Sequence, residues 1–253
     1  MKPVLFQIFG TSFYSYYIFV TLGIFAGLYL FYKYSKRSDI NATAFLDISI
    51  MSIISGYVGG RIFHVLFSVP SYYIEHPQEI FYFWSGGYAI YGATITPILF
   101  IYIYSKYKKF DFMKVTDALA PALSMGTAIG RIGCFMQGCC YGKETKMPWG
   151  IIFPEGTNGG ITPSNILLHP TQIYLSLHGL LMFFILRHIF NNKKYDGQIT
   201  YWYFVLYALG RFIIELFRAD ERGGTSWLSS FQIISIILFC WFTYKIIKKH
   251  KSA

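Results

Sequence analysis

Seven stretches of the chain are apolar over about the length that a bilayer crossing requires. Four of them hold no Asp, Glu, Lys or Arg: Pro3 to Tyr32, Ile80 to Ser105, Gly156 to Leu186 and Gly223 to Tyr244. Three more are apolar apart from isolated charges. These are Ile48 to Phe67 with Arg61, Val115 to Phe135 with Asp117 and Arg131, and Ile199 to Leu216 with Arg211 and Glu215. A crossing takes about 20 mostly apolar residues, because in hydrocarbon a helix satisfies its own backbone. The pattern predicts an all-α membrane protein with seven transmembrane helices, forming one polytopic domain over residues 1–253. The first stretch is too long for a removed signal peptide, and no small-residue cleavage site follows it.

Two connections are long. Residues 68–84 mix Pro70, Tyr72, Tyr73, His76 and Pro77, which suits a helix lying at the outer interface. Residues 137–168 hold Pro148, Pro154, Pro163 and several glycines, and they predict an external loop of the length that usually carries function. Small residues four apart, Gly56 with Gly60 and Gly126 with Gly130, are expected to let helices approach closely. No internal repeat is evident, which argues against a secondary transporter.

Composition agrees with the membrane assignment. The chain is 54% hydrophobic, 21% aromatic and only 13% charged, against roughly 25% charged in soluble domains. A net charge of +10 would suit nucleic acid, but its placement does not. One alternating set of connections holds Lys33, Lys36, Arg37; Lys106, Lys108, Lys109, Lys114; Arg187, Lys193, Lys194; and Lys245, Lys248, Lys249, Lys251. The other set holds Lys2, Lys143, Lys146, Arg218 and Arg222 among Glu75, Glu79, Glu144, Glu155, Asp220 and Glu221. Basic connections stay in the cytoplasm. The N-terminus is therefore expected outside and the C-terminus inside, with membrane lipid and not nucleic acid as the surrounding partner. The Asn41-Ala42-Thr43 sequon then falls in a cytoplasmic connection and reads as chance.

Charges within a bilayer cost at least ~2.5–3.5 kcal/mol each at its centre and so are functional candidates. Tyr207, Arg211, Glu215 and Arg218 follow spacings of four, four and three, which places them on one stripe of a helix. Arg211 and Glu215 can pair, and a purely structural ion pair is one reading of them. Arg131 stands in Gly130-Arg131-Ile132-Gly133, and Asp117, fourteen residues earlier, is too far along the helix to neutralise it. Arg61 follows Gly59-Gly60. Arginines near the outer ends of three helices, each beside glycines, predict an outer-leaflet site for a phosphorylated lipid, since the guanidinium grips phosphate bidentately and keeps its charge. His64 and His178 read as packed, hydrogen-bonded residues.

Several motifs in order then carry a likeness. Gly130-Arg131-Ile132-Gly133 with Phe135, Gly138 and Gly142, the segment from Trp84 to Ile95, His169-Pro170-Thr171-Gln172-Ile173-Tyr174, and Tyr207 through Arg211, Glu215 and Arg218 lie at family-like spacing. Tyr16 adds a tyrosine in the first helix. Over nearly its whole length the sequence resembles the bacterial prolipoprotein diacylglyceryl transferase family. The resemblance implies transfer of a diacylglyceryl group from phosphatidylglycerol to the thiol of a lipobox cysteine in a prolipoprotein signal peptide. The products are a thioether and glycerol phosphate. It further implies a multi-pass protein of the bacterial cytoplasmic membrane that needs no metal or redox cofactor. By the same resemblance Tyr91, Arg131, Arg211 and Glu215 are the catalytic candidates. Tyr16, Arg61, Gln137, Gly142, His169, Tyr207 and Arg218 are the substrate-binding ones.

Three departures stand out. Cys134 replaces the family's Asn, and Cys139, followed by Cys140, replaces its Glu; Tyr91 also stands where many members have His. The cysteine spacing does not match a standard zinc motif. Packing residues, a Cys134–Cys139 disulfide and a redox role remain open for them, while Cys240 reads as packing. Two rival functions follow: a same-fold transferase with another acceptor, and a membrane thiol oxidoreductase using Cys134, Cys139 and Cys140.

Overall fold

A computed structural model describes residues 3–8, 11–219 and 227–251. Lys2, Asp220, Glu221 and Arg222, which enter the charge argument, lie outside the described residues, as does the start of the last predicted span. The chain opens with an antiparallel pair, β1 (Val4–Ile8) and β2 (Thr11–Tyr14). The helices are α1 (Ser15–Arg37), α2 (Ala42–Phe63), α3 (Pro70–Glu75), α4 (Ile90–Lys108), α5 (Phe112–Gln137), α6 (Thr171–Asn191), α7 (Gln198–Glu215) and α8 (Ser230–Lys251). Five are long and apolar enough to cross a membrane: α1, α2 with its π-helical extension to Ser68, α5, α6 and α8. Helices α4 and α7 have 19 and 18 residues, but tyrosines and terminal charges dilute their apolar character. The protein is therefore a mostly helical, multi-pass membrane protein.

Two compact units form: residues 1–34 with 116–253, and residues 35–115. In the smaller unit α2 lies against α4. A Cβ at Gly56 would stand 3.2 Å from the Ala93 carbonyl oxygen, and one at Gly92 would strike the Gly59 backbone, so the glycine spacing serves helix contact here. Asn41 caps α2, its Oδ1 accepting from the Ala44 N–H at 2.7 Å. That cap explains the asparagine of the sequon. The interfacial helix expected over 68–84 takes the form of the short α3 and two 3₁₀ turns, Pro77–Phe81 and Phe83–Ser85. Trp84 and Ile74 are each 80% exposed, in keeping with apolar surroundings.

In the larger unit α1 crosses α5 at glycines: a Cβ at Gly23 would stand 2.7 Å from the Gly126 carbonyl oxygen. Gly130 differs, for a Cβ there would meet open space. Ser176 of α6 donates to the Ala128 carbonyl of α5 at 2.7 Å. His178 of α6 bonds the Leu206 carbonyl of α7 through Nε2 at 3.1 Å and covers Gly210. Phe204 and Phe242 stack at 4.4 Å between α7 and α8. The unit thus runs α1, α5, α6, α7, α8 by successive contacts, and His178 is the packed histidine expected.

Candidate active site

Two sets of charged groups meet helix α7, one at each end. At its start, Asp117 of α5 is fully buried and accepts from Gly197 N, Thr200 N and Thr200 Oγ1 at 2.8, 2.8 and 2.7 Å. Lys193 Nζ lies 2.9 Å from the same carboxylate. The first N–H groups of a helix have no intrahelical acceptor and carry its positive dipole end. Asp117 supplies the missing acceptor from a neighbouring helix. Bonds from Asp196 and Asp117 outweigh burial and raise the Lys193 ammonium above its ordinary value.

At the other end, Arg211 and Glu215 are buried and paired, with Nη2 2.8 Å from Oε2. The contact is ionic, without an aligned hydrogen bond to that oxygen. From α8's side, Ser229 Oγ donates to Glu215 Oε1 at 3.3 Å, and the Phe231 ring faces the Arg211 guanidinium at 4.8 Å. Nothing in the local sequence signals Ser229 or Phe231, because their contacts arise only when α8 folds back. Helix α7 ends at Glu215, so Arg218 lies beyond it and not on the helical stripe. Arg218 pairs with Gly142 in an isolated antiparallel bridge, and it is buried. Tyr207 is 38% exposed and stacks on Tyr203, whereas Arg211, Glu215 and Arg218 are buried.

Three separate motifs meet here. Cys140's carbonyl accepts from Arg218 Nη1 at 3.1 Å and from Thr171 Oγ1 at 2.7 Å. Cys139's carbonyl accepts from Gln172 Nε2 at 2.8 Å. Gly142 N donates to the His169 carbonyl at 2.9 Å, and a Cβ at Gly142 would strike Phe217 and His169. Only glycine fits between those two segments. Gln137 closes α5, and Gly138 follows in the left-handed conformation with φ +82. His169 Nδ1 sits 3.0 Å from Tyr174 Oη, and burial holds the imidazole below its ordinary value. Pro170 occupies the cap position just before the first residue of α6.

The thiols of Cys134, Cys139 and Cys140 are free, half-buried and within 4.8 Å of one another. The disulfide left open by the sequence is not formed. Cys134 and Cys139 bond Cys140, and Arg218 faces it, so the Cys140 thiol is pushed down. The same neighbours and burial push Cys139 up. Arg131 is half-buried, and its charge acts on Cys134 and on Tyr16, the second residue of α1. Gly133 lets α1 close in, a Cβ there standing 3.0 Å from the Tyr16 carbonyl oxygen.

The smaller unit holds Arg61 and Tyr91. Arg61 is 2% exposed, and backbone carbonyls surround its guanidinium: Nε reaches Ile80 at 3.2 Å, Nη1 reaches Gly86 and Gly87, and Nη2 reaches Glu79. The Tyr73 ring lies 5.3 Å away. Four of its N–H donors thus meet backbone carbonyls and order residues 79–87. Gly86 and Gly87 are both left-handed, and a Cβ at Gly87 would stand 2.8 Å from Arg61 Nη1. Tyr91 stands in the first turn of α4 and is 48% exposed.

The family model described as prolipoprotein diacylglyceryl transferase matches residues 3–247. The chain is 40% identical over 236 residues to the phosphatidylglycerol–prolipoprotein diacylglyceryl transferase of Clostridium tetani, covering 93% of each chain. It is 37% identical over 240 residues to the protein of that name from Finegoldia magna, covering 94% of this chain and 92% of that one. It is 34% identical over 241 residues to that of Thermotoga maritima, covering 94% and 81%. The chain belongs to the prolipoprotein diacylglyceryl transferase family.

Proposed function

We propose that this enzyme transfers the diacylglyceryl group of phosphatidylglycerol to the lipobox cysteine thiol of prolipoproteins in the bacterial cytoplasmic membrane. The observation that carries the reading is the meeting of three motifs around Cys139 and Cys140, where buried Arg218 donates to the Cys140 carbonyl. In the reaction the acceptor thiol loses its proton and the thiolate attacks the glyceryl carbon. A carbon–sulfur bond forms, the carbon–oxygen bond to phosphate breaks, and glycerol phosphate leaves with the electron pair. Arg131 and Arg211 stabilise the charge that grows on the phosphate oxygens, a role in which fixed donors outperform water. Glu215 holds Arg211 in place. Arg218, Gly142, Gln137 and His169 shape the substrate site, with Tyr16 and Tyr207 at its edge. Tyr91 orients the acceptor, and Arg61 orders the loop that precedes Tyr91.

The replaced Asn and Glu do not call for a different acceptor. The motifs are joined through the carbonyls of Cys139 and Cys140, which any residue supplies. The thiol oxidoreductase alternative is not favoured, since the relatives are transferases by name. Seven long helices among the described residues, with basic connections on alternate sides, support seven spans with the N-terminus outside. The test is to incubate purified protein with phosphatidylglycerol and a lipobox peptide. Mass spectrometry should find the diacylglyceryl peptide; an unmodified peptide would overturn the reading.

A further inference from the structure

The cluster of three thiols has no part in that mechanism. Cys134 stands in the last turn of α5, and Cys139 and Cys140 follow the helix end. Within seven residues the chain turns back sharply, because Gly138 (φ +82) and Cys140 (φ +64) are both left-handed. A left-handed cysteine is unusual, and such positions persist where the surroundings hold them. Here Thr171 and Arg218 grip the Cys140 carbonyl, Gln172 grips that of Cys139, and Gly138 N bonds the Cys134 carbonyl at 2.9 Å. The backbone that carries the three sulfurs is thus held by contacts that involve no thiol.

We propose that Cys134, Cys139 and Cys140 form a binding site for copper(I), held by three thiolates in trigonal geometry. Metal–thiolate bonds of about 2.3 Å place the sulfurs of a trigonal site about 4 Å apart. The present separations, all within 4.8 Å, need only a small contraction. Ligand number selects the ion. Structural zinc takes four ligands, and iron–sulfur clusters take four cysteines. Among the described residues no fourth His, Cys, Asp or Glu joins this group. Soft thiolates favour copper(I). Charge points the same way. Three thiolates and one monovalent cation leave two negative charges, and two guanidiniums face them, Arg131 toward Cys134 and Arg218 toward Cys140. Each ligating thiol releases its proton to solvent, and no electron changes hands. The site does not depend on the transferase reading, and its test reads binding alone.

The experiment takes the full-length protein in detergent, reduced and free of oxygen, and titrates copper(I) against a colorimetric copper(I) chelator. One equivalent should be withheld from the chelator, with a thiolate-to-copper absorption band in the ultraviolet, and equimolar zinc(II) should not displace it. Cys134→Ser should weaken binding by at least the roughly 10- to 100-fold that losing even an outer partner costs a metal site. The double variant Cys139→Ser/Cys140→Ser should abolish it, and Cys240→Ser should leave it intact. A readout without variants guards against misfolding: bound copper(I) should shield the three clustered thiols from alkylation and leave Cys240 reactive. Copper(I) fully removed by the chelator, displacement by zinc(II), alkylation of all four cysteines in its presence, or equal loss in Cys240→Ser would each overturn the proposal.

Discussion

The two ends of α7 hold buried charge in opposite ways. At the N-terminal end one carboxylate, Asp117, takes three hydrogen bonds and a lysine, and every contact serves the fold. Its negative charge also faces the positive end of the helix dipole. At the C-terminal end Arg211 pairs with Glu215, which stands where the dipole is itself negative. A carboxylate is poorly placed there unless it serves Arg211. The contrast teaches that burial of a charged residue in a membrane helix does not by itself mark function. What separates the two ends is whether the group completes the backbone or holds another charge in position. Arg61 belongs with the first kind, because its donors complete the carbonyls of a loop.

The largest effect is expected at the C-terminal end of α7 and at Arg131 of α5. Arg131→Ala and Arg211→Ala should lower transfer by about 10²–10³-fold or more, the scale seen when a fixed donor to a developing charge is removed. Arg211→Ala also leaves Glu215 unpaired, so Arg131→Lys is the sharper probe: an ammonium keeps the charge but loses the fork, and it should rescue poorly. Rates per folded molecule check this, and full activity in Arg131→Lys would remove the phosphate-clamp role. At the N-terminal end, Asp117→Ala should cost stability on the scale of about 3–5 kcal/mol, as when one partner of a buried pair is lost. It should leave transfer per folded molecule near wild type, which denaturation and rate measurements together would read. The triple Cys134, Cys139 and Cys140 substitution by Ser should cost about 1–3 kcal/mol of stability and keep most of the activity. Single-cysteine loss of turnover by orders of magnitude would put a thiol in the mechanism. The smallest effect concerns His169. Its folded value is depressed by burial, so the unfolded chain takes up the proton first as pH falls. Stability should then decline as pH drops below the unfolded value of about 6.5, and the decline should shrink in His169→Gln when melting is followed between neutral and mildly acidic pH.

Much of this was legible from residue pattern. The pairing of Arg211 with Glu215 follows from helical spacing. Span edges were less legible. Ile80 to Ser105 and Gly156 to Leu186 are free of charge, yet α4 begins only at Ile90 and α6 at Thr171. Left-handed glycines at 86, 87 and 156 precede those helices, and the absence of charge does not distinguish helix from apolar loop. For the same reason the β1–β2 hairpin was hidden inside the first stretch. The ordering of residues 79–87 by Arg61 was hidden because its partners there are backbone carbonyls, which leave no mark on residue type. The bridge from Arg218 to Gly142 likewise became visible only when distant segments met.

The most direct test measures peptide lipidation per folded molecule for Asp117→Ala and Arg131→Lys side by side, with phosphatidylglycerol as donor. The account predicts a destabilised but active Asp117→Ala protein and a stable but nearly inactive Arg131→Lys protein. The reverse pattern, or equal loss in both, would contradict it.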